Sequence, residues 1–347
     1  MKTEMKALVK SHPERGATLL NVEVPKPGPG EVLIRVKATS ICGTDLHIYQ
    51  WDEWARSAIR VPRIFGHEFA GEVVELGEGV PRGRLGEYVS AETHFVCGDC
   101  FQCRTGLGHV CRFTKILGID VDGVFAEYAR IPECNLIRCD ASIPPEIASV
   151  QEPFGNAVHS VFVDDILGAT VVVFGCGPIG LFSVGLAATY GAKSVIAVEP
   201  KEFRLELARS MGAAHLINPE KHNVANEILS LTEERGGVDV VLEMSGSRSA
   251  ITDALRVLRP GGWISLLGIP HQRVELDLAK DVIFKGVKMY GIVGRRMYET
   301  WYRTQGILMS GRLDITPVIT HTLPLERFED GFRLIEEGKC GKVVLIP

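Results

Sequence analysis

Clustered positive charge is scarce in this sequence, in which no run of Lys and Arg exceeds two residues. With a formal net charge of −5, this scarcity argues against a nucleic-acid partner, because phosphate binding requires clustered Lys and Arg. The first segment, MKTEMKALVK, lacks the apolar core of a secretion signal, and internal repeats are also lacking. What is present, 46% apolar and 23% charged residues over 347 positions, is typical of a soluble globular protein with room for two domains.

Membrane-spanning character is lacking as well. A span needs about 20 consecutive apolar residues. One uncharged stretch, from Ile166 to Ala192, has that length, but Gly175, Gly177 and Pro178 interrupt its middle. This pattern predicts a buried strand, a tight turn and a buried helix, so we expect no membrane partner.

Cysteine is present in an odd number, nine, and four of the nine lie within fifteen residues. This distribution favours metal binding in a reducing compartment over a disulfide framework, so we expect a cytoplasmic protein. Four thiolates at such spacing suit a closed, tetrahedral structural zinc site, although an iron–sulfur cluster would use the same kind of ligands. The four residues are Cys97, Cys100, Cys103 and Cys111.

The pattern of the sequence changes near residue 165. Before it, alternating segments such as EVLIRVKATS and Gly-rich turns predict a β-rich, barrel-like domain. After it, helices separate six apolar segments, TVVVF, SVIAV, HLI, VDVVLEM, WISLLG and VKMYGIV. This is the strand count of a doubly wound, parallel-sheet dinucleotide-binding domain, and the predicted fold class is α/β. We expect a catalytic domain formed by residues 1–160 and 295–347, and a Rossmann domain formed by residues 161–294.

The turn GCGPIG follows the strand TVVVF and opens a helix, which is the context that a dinucleotide site requires. Gly175 allows the tight turn, Gly177 lets the backbone approach the pyrophosphate, and Gly180 lets helix and strand pack closely. Glu199 ends the next strand, where a carboxylate accepts hydrogen bonds from ribose hydroxyls and repels a 2′-phosphate. NAD is therefore predicted over NADP. Arg204 keeps the alternative open, because a nearby arginine can accept that phosphate.

A second candidate metal site comprises Cys42, His67 and Glu68. One thiolate, one imidazole and one carboxylate leave a zinc ion with room for water or substrate. Each residue also has an ordinary structural interpretation, as a buried cysteine, a hydrogen-bonded core histidine and an exposed glutamate. Because Cys42 is distant in sequence from the other two, spacing alone leaves the choice open.

Taken in order, GHEFAGEVVELGEGV, the four-cysteine segment and GCGPIG resemble the zinc-containing medium-chain alcohol dehydrogenase superfamily over nearly the whole chain. Within it, CGTDLHIYQWDEWA, QEPFGNAVHSV and GRRMYETW are similar to the L-threonine 3-dehydrogenase family. The resemblance implies zinc-dependent oxidation of L-threonine to 2-amino-3-oxobutanoate, with NAD as hydride acceptor. Oxidation of a polyol or of butanediol is the alternative. A non-catalytic descendant would have lost Cys42, Thr44 or His67, all of which are present.

The same resemblance implies roles for individual residues. At the catalytic zinc it implies the ligands Cys42, His67 and Glu68, the proton relay Thr44 and His47, and Glu152 as a transient ligand or part of the proton path. Around NAD it implies Ile179, Glu199, Arg204, Leu266, Leu267, Gly268, Gly291 and Ile292. The four clustered cysteines would hold a structural zinc. One departure, Glu87 where the superfamily usually has Asp, falls in a turn, and we expect no functional change from it. The family commonly forms homotetramers, which we expect here.

Overall fold

The computed structural model describes residues 2–347 and places eighteen strands in them. The strands are β1 (Glu4–Lys10), β2 (Thr18–Glu23), β3 (Glu31–Ser40), β4 (Arg63–Ile64), β5 (Glu68–Leu76), β6 (Tyr88–Ala91), β7 (His94–Phe95), β8 (Lys115–Ile116), β9 (Tyr128–Pro132), β10 (Leu136–Arg138), β11 (Thr170–Phe174), β12 (Ser194–Val198), β13 (His215–Ile217), β14 (Val238–Glu243), β15 (Leu258–Leu266), β16 (Lys288–Gly291), β17 (Ile319–Pro324) and β18 (Lys342–Ile346).

Eleven α-helices connect or flank these strands within the described residues. They are α1 (Gly43–Gln50), α2 (Glu53–Ala58), α3 (Phe101–Arg104), α4 (Pro145–Ser149), α5 (Gln151–Val161), α6 (Pro178–Thr189), α7 (Glu202–Ser210), α8 (Val224–Leu231), α9 (Arg248–Val257), α10 (Glu299–Met309) and α11 (Phe328–Glu336). A wide helical turn, Leu278–Ile283, lies between β15 and β16.

The chain divides into two compact units. The first runs to Glu152 and resumes with Arg295–Met309 and Ile319–Pro347. The second comprises Pro153–Gly294 and Ser310–Val318. Each unit has its own sheet and its own buried apolar core.

The second unit is built on a six-stranded parallel sheet in the order β13-β12-β11-β14-β15-β16. The strand β11 is buried along its whole length, which is why its sequence is continuously apolar and does not alternate. Strand order reverses between β11 and β14, and dinucleotides bind at the carboxyl ends of the strands beside such a reversal. The predicted doubly wound sheet is confirmed.

The first unit is β-rich, as predicted. Its largest sheet has the order β10-β6-β5-β3-β18-β17, and β9 pairs with β3 in addition. The alternation of EVLIRVKATS correctly places Val32, Ile34 and Val36 in the core, but Leu33 is buried too, so this strand is covered on both faces at that point. The strand β18 pairs antiparallel with β3 and parallel with β17, which returns the end of the chain to this sheet.

Within residues 2–347, no helix has both the length and the apolar character that crossing a membrane requires.

Candidate metal centres and dinucleotide site

Cys42, His67 and Glu68 come together in the first unit, with one potential ligand atom of each within 4.8 Å of the others. Cys42 is the residue before α1, and Glu68 opens β5. The turn between β4 and β5 requires Gly66, which has φ +86° and whose Cβ would stand 2.5 Å from the Phe125 ring. A thiol, an imidazole and a carboxylate at this spacing fit a zinc ion with an open position.

His67 lies beside a buried carboxylate. Its Nδ1 is 3.6 Å from Oδ1 of Asp45, and both atoms are otherwise unpartnered and shielded from solvent. Burial raises the pKa of Asp45 to about 6. Burial alone would lower the pKa of His67, but Asp45 and Cys42 outweigh it and raise that pKa to about 10. A carboxylate behind a ligating histidine fixes its ring orientation, so this pair is suited to present Nε2 to a metal.

Glu68 is held from the other side by a lysine near the end of the chain. Nζ of Lys342 donates to Oε1 of Glu68 at 2.7 Å and to the Ile41 carbonyl at 2.9 Å, and the hydroxyl of Ser40 donates to Oε2 of Glu68. Lys342 and Glu68 are both buried. The carboxylate therefore has a permanent counter-charge, and a metal ion would share it with Lys342.

Glu152, the remaining residue predicted around this centre, is buried at the start of α5 and ion-paired with Arg295. Arg295 is fully buried and also pairs with Glu92, its Nη2 lying 2.6 Å from Oε1. The Trp301 indole N–H donates to the same Glu92 at 2.8 Å. Glu152 is thus positioned by an arginine that pairs with two carboxylates, which leaves a net negative charge on the cluster.

Thr44 and His47 are both half-buried on α1. Nδ1 of His47 lies 2.6 Å from Oδ2 of Asp52. The other oxygen of Asp52 accepts a hydrogen bond from the Ala55 N–H at 2.9 Å and so caps α2. One carboxylate therefore fixes both the start of α2 and the orientation of the His47 ring.

The four clustered cysteines form a self-contained lobe. Sulfur–sulfur distances are 3.5 Å for Cys100–Cys103, 3.7 Å for Cys100–Cys111 and 3.6 Å for Cys111–Cys97. Four sulfurs at 2.3 Å from one tetrahedral zinc ion would lie about 3.8 Å apart. Backbone N–H groups of Cys103 and Arg112 lower the pKa of the Cys100 thiol to about 6, which favours the thiolate form that binds metal. The spacing fits a single zinc ion.

The glycine-rich turn has the packing that the sequence predicts. Gly175 has φ +87°, and its Cβ would lie 2.8 Å from the Ser245 Cβ. A Cβ on Gly180 would lie 1.9 Å from the Gly175 carbonyl oxygen, so helix α6 can approach β11 only with glycine there. Pro178 occupies the first turn of α6, immediately after Gly177.

Glu199 is buried at the end of β12 and holds this turn. Its Oε2 accepts a hydrogen bond from the Cys176 N–H at 2.8 Å, and its Oε1 accepts one from the Lys201 N–H at 3.1 Å. The sequence predicts a ribose acceptor at this position and does not predict the bond to Cys176. Each carboxylate oxygen keeps a lone pair for a second donor.

The other residues expected around NAD lie at the same end of the sheet. Leu266 ends β15 opposite Gly291, which ends β16, and the Ile292 N–H donates to the Leu266 carbonyl at 2.9 Å. Leu267 and Gly268 follow at once, Ile179 lies in the first turn of α6, and Arg204 lies on α7.

The comparisons with known proteins agree with this geometry. Residues 28–141 match the alcohol dehydrogenase GroES-like domain, and residues 178–308 match the zinc-binding dehydrogenase family. The L-threonine 3-dehydrogenase of Caldanaerobacter subterraneus subsp. tengcongensis is 52% identical over 344 residues, which are 99% of each chain. The chain belongs to the L-threonine 3-dehydrogenase family of zinc-binding dehydrogenases. Another family member, from Bacillus licheniformis, is 51% identical over all of both chains.

Solved structures place the family in a wider group. An alcohol dehydrogenase from E. coli CFT073 complexed with NADH is 28% identical, with a TM-score of 0.91 and full coverage of both chains. The 2R,3R-butanediol dehydrogenase of Bacillus subtilis is 29% identical, with a TM-score of 0.88 and 99% coverage of each. The predicted family, enzyme class and cofactors, zinc and NAD, are confirmed.

Several residues that the sequence did not single out surround the candidate catalytic centre. Asp45 and Asp52 could have been found from their positions. Asp45 lies three residues after Cys42 in the first turn of α1, and Asp52 lies five residues after His47, directly before α2. Lys342 and Arg295 carry no such signal, because their partners are 274 and 143 residues away.

Proposed function

We propose that this chain oxidises the β-hydroxyl of L-threonine to 2-amino-3-oxobutanoate, with NAD as acceptor. The observation that carries the proposal is identity of about half of all residues, over the full length, with L-threonine 3-dehydrogenases of several bacteria and archaea. The Cys42, His67 and Glu68 cluster supports it, because a zinc ion with an open position is what a secondary alcohol needs for activation.

The metal and the dinucleotide have separate tasks. Bound zinc lowers the pKa of an alcohol, and NAD accepts a hydride. Cys42, His67 and Glu68 would hold the zinc ion. The NAD would be held by Gly175, Gly177 and the segments that end β12, β15 and β16. The four-cysteine lobe would hold a closed zinc site without a catalytic position.

The chain supplies the proton path. We assign Thr44 to take the hydroxyl proton and His47 to pass it to solvent, since imidazole is a common proton shuttle in enzymes. Asp52 accepts the hydrogen bond of Nδ1 at 2.6 Å, which orients the ring and stabilises its protonated form during transfer. Glu152, held by Arg295, provides a carboxylate beside the centre that can receive the ammonium of an amino-acid substrate.

Glu199 supports a preference for NAD over NADP. A carboxylate that already binds the turn at Cys176 cannot move away from a 2′-phosphate without releasing that backbone N–H. Arg204 on α7 remains the residue that would oppose this preference.

A substrate panel tests the assignment against the alternative, a polyol or butanediol dehydrogenase. A site that binds the hydroxyl at the metal and the ammonium at Glu152 favours an amino-acid alcohol, because an analogue without the ammonium loses that second contact. We expect kcat/KM at fixed NAD to be highest for L-threonine, low for L-serine and very low for D-threonine, sorbitol and 2,3-butanediol. If sorbitol or 2,3-butanediol outperforms L-threonine, the substrate assignment is wrong, while the cofactor assignments remain.

The proposal includes three further expectations, on domains, location and assembly.

The first unit is expected to be the catalytic domain and the second the NAD domain, with sequence boundaries near residues 160 and 295. A reducing, cytoplasmic location suits two sites that depend on free thiols. A homotetramer is supported by β16, an edge strand flanked by the exposed side chains of Ile283, Phe284 and Val293, which a second copy would cover. Light scattering after gel filtration tests this assembly.

A further inference from the structure

Glu243 is the last residue of β14 and is buried at the carboxyl edge of the parallel sheet. Its register partners are Phe174, which ends β11, and Leu266, which ends β15. The glycine turn begins directly after Phe174. Glu243 therefore stands at the strand reversal, between two segments assigned to NAD.

The side chain of Glu243 binds the backbone of its own loop. Its Oε1 accepts hydrogen bonds from the Ser245 N–H at 2.9 Å and the Gly246 N–H at 3.0 Å, and the Ser245 hydroxyl donates to the same oxygen. Its main-chain carbonyl accepts the N–H groups of Leu267 at 3.0 Å and Gly268 at 3.1 Å. One residue thus ties together the loops that follow β14 and β15.

These loops interlock without spare space. A Cβ on Gly268 would lie 2.1 Å from the Gly246 nitrogen and 2.7 Å from Oε2 of Glu243. Ser245 in turn is the residue that a Cβ on Gly175 would strike. A shift of the loop at residues 244–247 would therefore displace both the glycine turn and the segment at residues 266–268.

The loop also opens onto free volume. Gly246 and Ser247, together with His271 and Gln272, line a surface cavity of about 610 Å³, which is within the range of ligand pockets. Among the described residues, no cation forms an ion pair with Glu243. Its carboxylate accepts hydrogen bonds from backbone N–H groups and one hydroxyl, all of them in the loop that follows β14.

We propose that Glu243 is a positioning residue for NAD. It fixes the loop after β14 beneath the glycine turn and aligns the turn after β15, so that both reach the dinucleotide in one preformed arrangement. The proposal rests on the NAD site described above and is independent of which alcohol is oxidised.

Asp239, on the same strand, offers a matched control. It lies at the opposite end of β14, where its Oδ2 accepts the Thr170 N–H at 2.8 Å and its carboxylate pairs with Arg235 at 3.0 Å and Arg259 at 2.6 Å. It too binds backbone and is mostly buried, but at the amino edge of the sheet, away from the strand ends that bind dinucleotide. Loss of its charge should affect stability and leave NAD binding unchanged.

The experiment compares Glu243→Met, Glu243→Gln and Asp239→Asn in the zinc-loaded enzyme. NADH binding is titrated by fluorescence without any alcohol, and kcat and KM for NAD are then measured with L-threonine. We expect Glu243→Met to weaken NADH binding about tenfold or more, equivalent to about 1.4 kcal/mol, and to raise KM for NAD more than it lowers kcat. Glu243→Gln keeps one acceptor oxygen and should restore part of the affinity, while Asp239→Asn should bind NADH like the parent.

Three results would overturn the proposal. One is NADH affinity in Glu243→Met within about twofold of the parent, a difference of only about 0.4 kcal/mol. The second is an equal loss in Asp239→Asn, since that would reflect general destabilisation. If Glu243→Met does not fold, Glu243→Gln and Asp239→Asn decide the question, and equal NADH affinities in these two count against Glu243. Because no alcohol is present in the titration, failure of L-threonine as substrate leaves the outcome readable.

Discussion

The two candidate metal centres differ in how the chain builds them. The four-cysteine lobe takes all its ligands from Cys97–Cys111, and Cys97 in it is exposed. The Cys42, His67 and Glu68 centre draws on α1 and β5, is largely buried, and is surrounded by charged side chains from distant parts of the sequence. The first needs only a loop to hold a metal, whereas the second requires the folded sheet to hold its ligands at all.

Because of this difference, we expect loss of a metal ligand to have a different effect in each centre. A closed site contributes to folding, because its ligands are brought together mainly by the metal. An open site with preformed neighbours contributes to reactivity and little to folding, because the fold holds its ligands together even without the metal. Three comparisons between variants test how far this contrast holds.

The largest expected effect comes from removing one ligand of each centre. Cys42→Ala should reduce turnover of L-threonine by about a thousandfold or more, because metal Lewis acidity is worth several kcal/mol, and should leave Tm nearly unchanged. Cys103→Ala should instead lower Tm by several degrees, since structural zinc supplies on the order of 10 kcal/mol in small zinc modules. Metal analysis should find two zinc ions in the parent and one in each variant.

The exposed Cys134 provides the control, because Cys134→Ala changes neither centre and should leave activity, Tm and zinc content at parental values. The contrast fails if Cys42→Ala and Cys103→Ala lower Tm equally, or if active parent enzyme contains fewer than two zinc ions.

A smaller effect is expected from the proton path beside the open centre. His47→Asn should slow turnover about a hundredfold, within the range for general acid–base groups, and should keep both zinc ions. The deficit should grow as pH falls, because hydroxide, which can replace the missing base, becomes scarcer. Asp52→Asn, which retains an oxygen to cap α2, should cost less. Turnover is followed as NADH formation from pH 6 to 9.

Exposed His12 serves as the matched histidine, and His12→Asn should show the parental pH profile. An unaltered rate and pH profile in His47→Asn would remove His47 from the relay.

The smallest effect on turnover is expected for Lys342, whose loss changes mainly the stability of the protein. Breaking a buried ion pair leaves Glu68 without its counter-charge, so Lys342→Met should lower the free energy of unfolding of the zinc-free protein by about 3 kcal/mol. The loss should be smaller with zinc bound, because the metal replaces the missing positive charge. Denaturant unfolding of both forms measures the difference.

Lys285→Met is the control, since Lys285 donates to the Leu255 and Leu258 carbonyls and its loss strands no buried carboxylate. Equal losses with and without zinc in Lys342→Met would indicate that Glu68 does not face the metal.

The contrast between the centres also explains what the sequence could predict. The four cysteines and the glycine turn are local patterns, so spacing alone identified them, and the six parallel strands followed from continuous apolar segments. Cys42 could not be joined to His67 without the family resemblance, because only the fold brings them together. Arg295, Lys342 and Glu243 were not predicted, since a buried charge is recognisable only when its partner is known.

The two residues of the Glu68–Lys342 pair are translated at very different times. The two residues are 274 positions apart, and the whole parallel-sheet unit is translated between them. At 5–20 residues per second, Lys342 emerges roughly 15–55 s after Glu68. During that interval β3 and β5 can pair, but the Glu68 carboxylate at the start of β5 has no lysine to balance its charge. The ion pair that holds Glu68 therefore forms only after β18 has been translated.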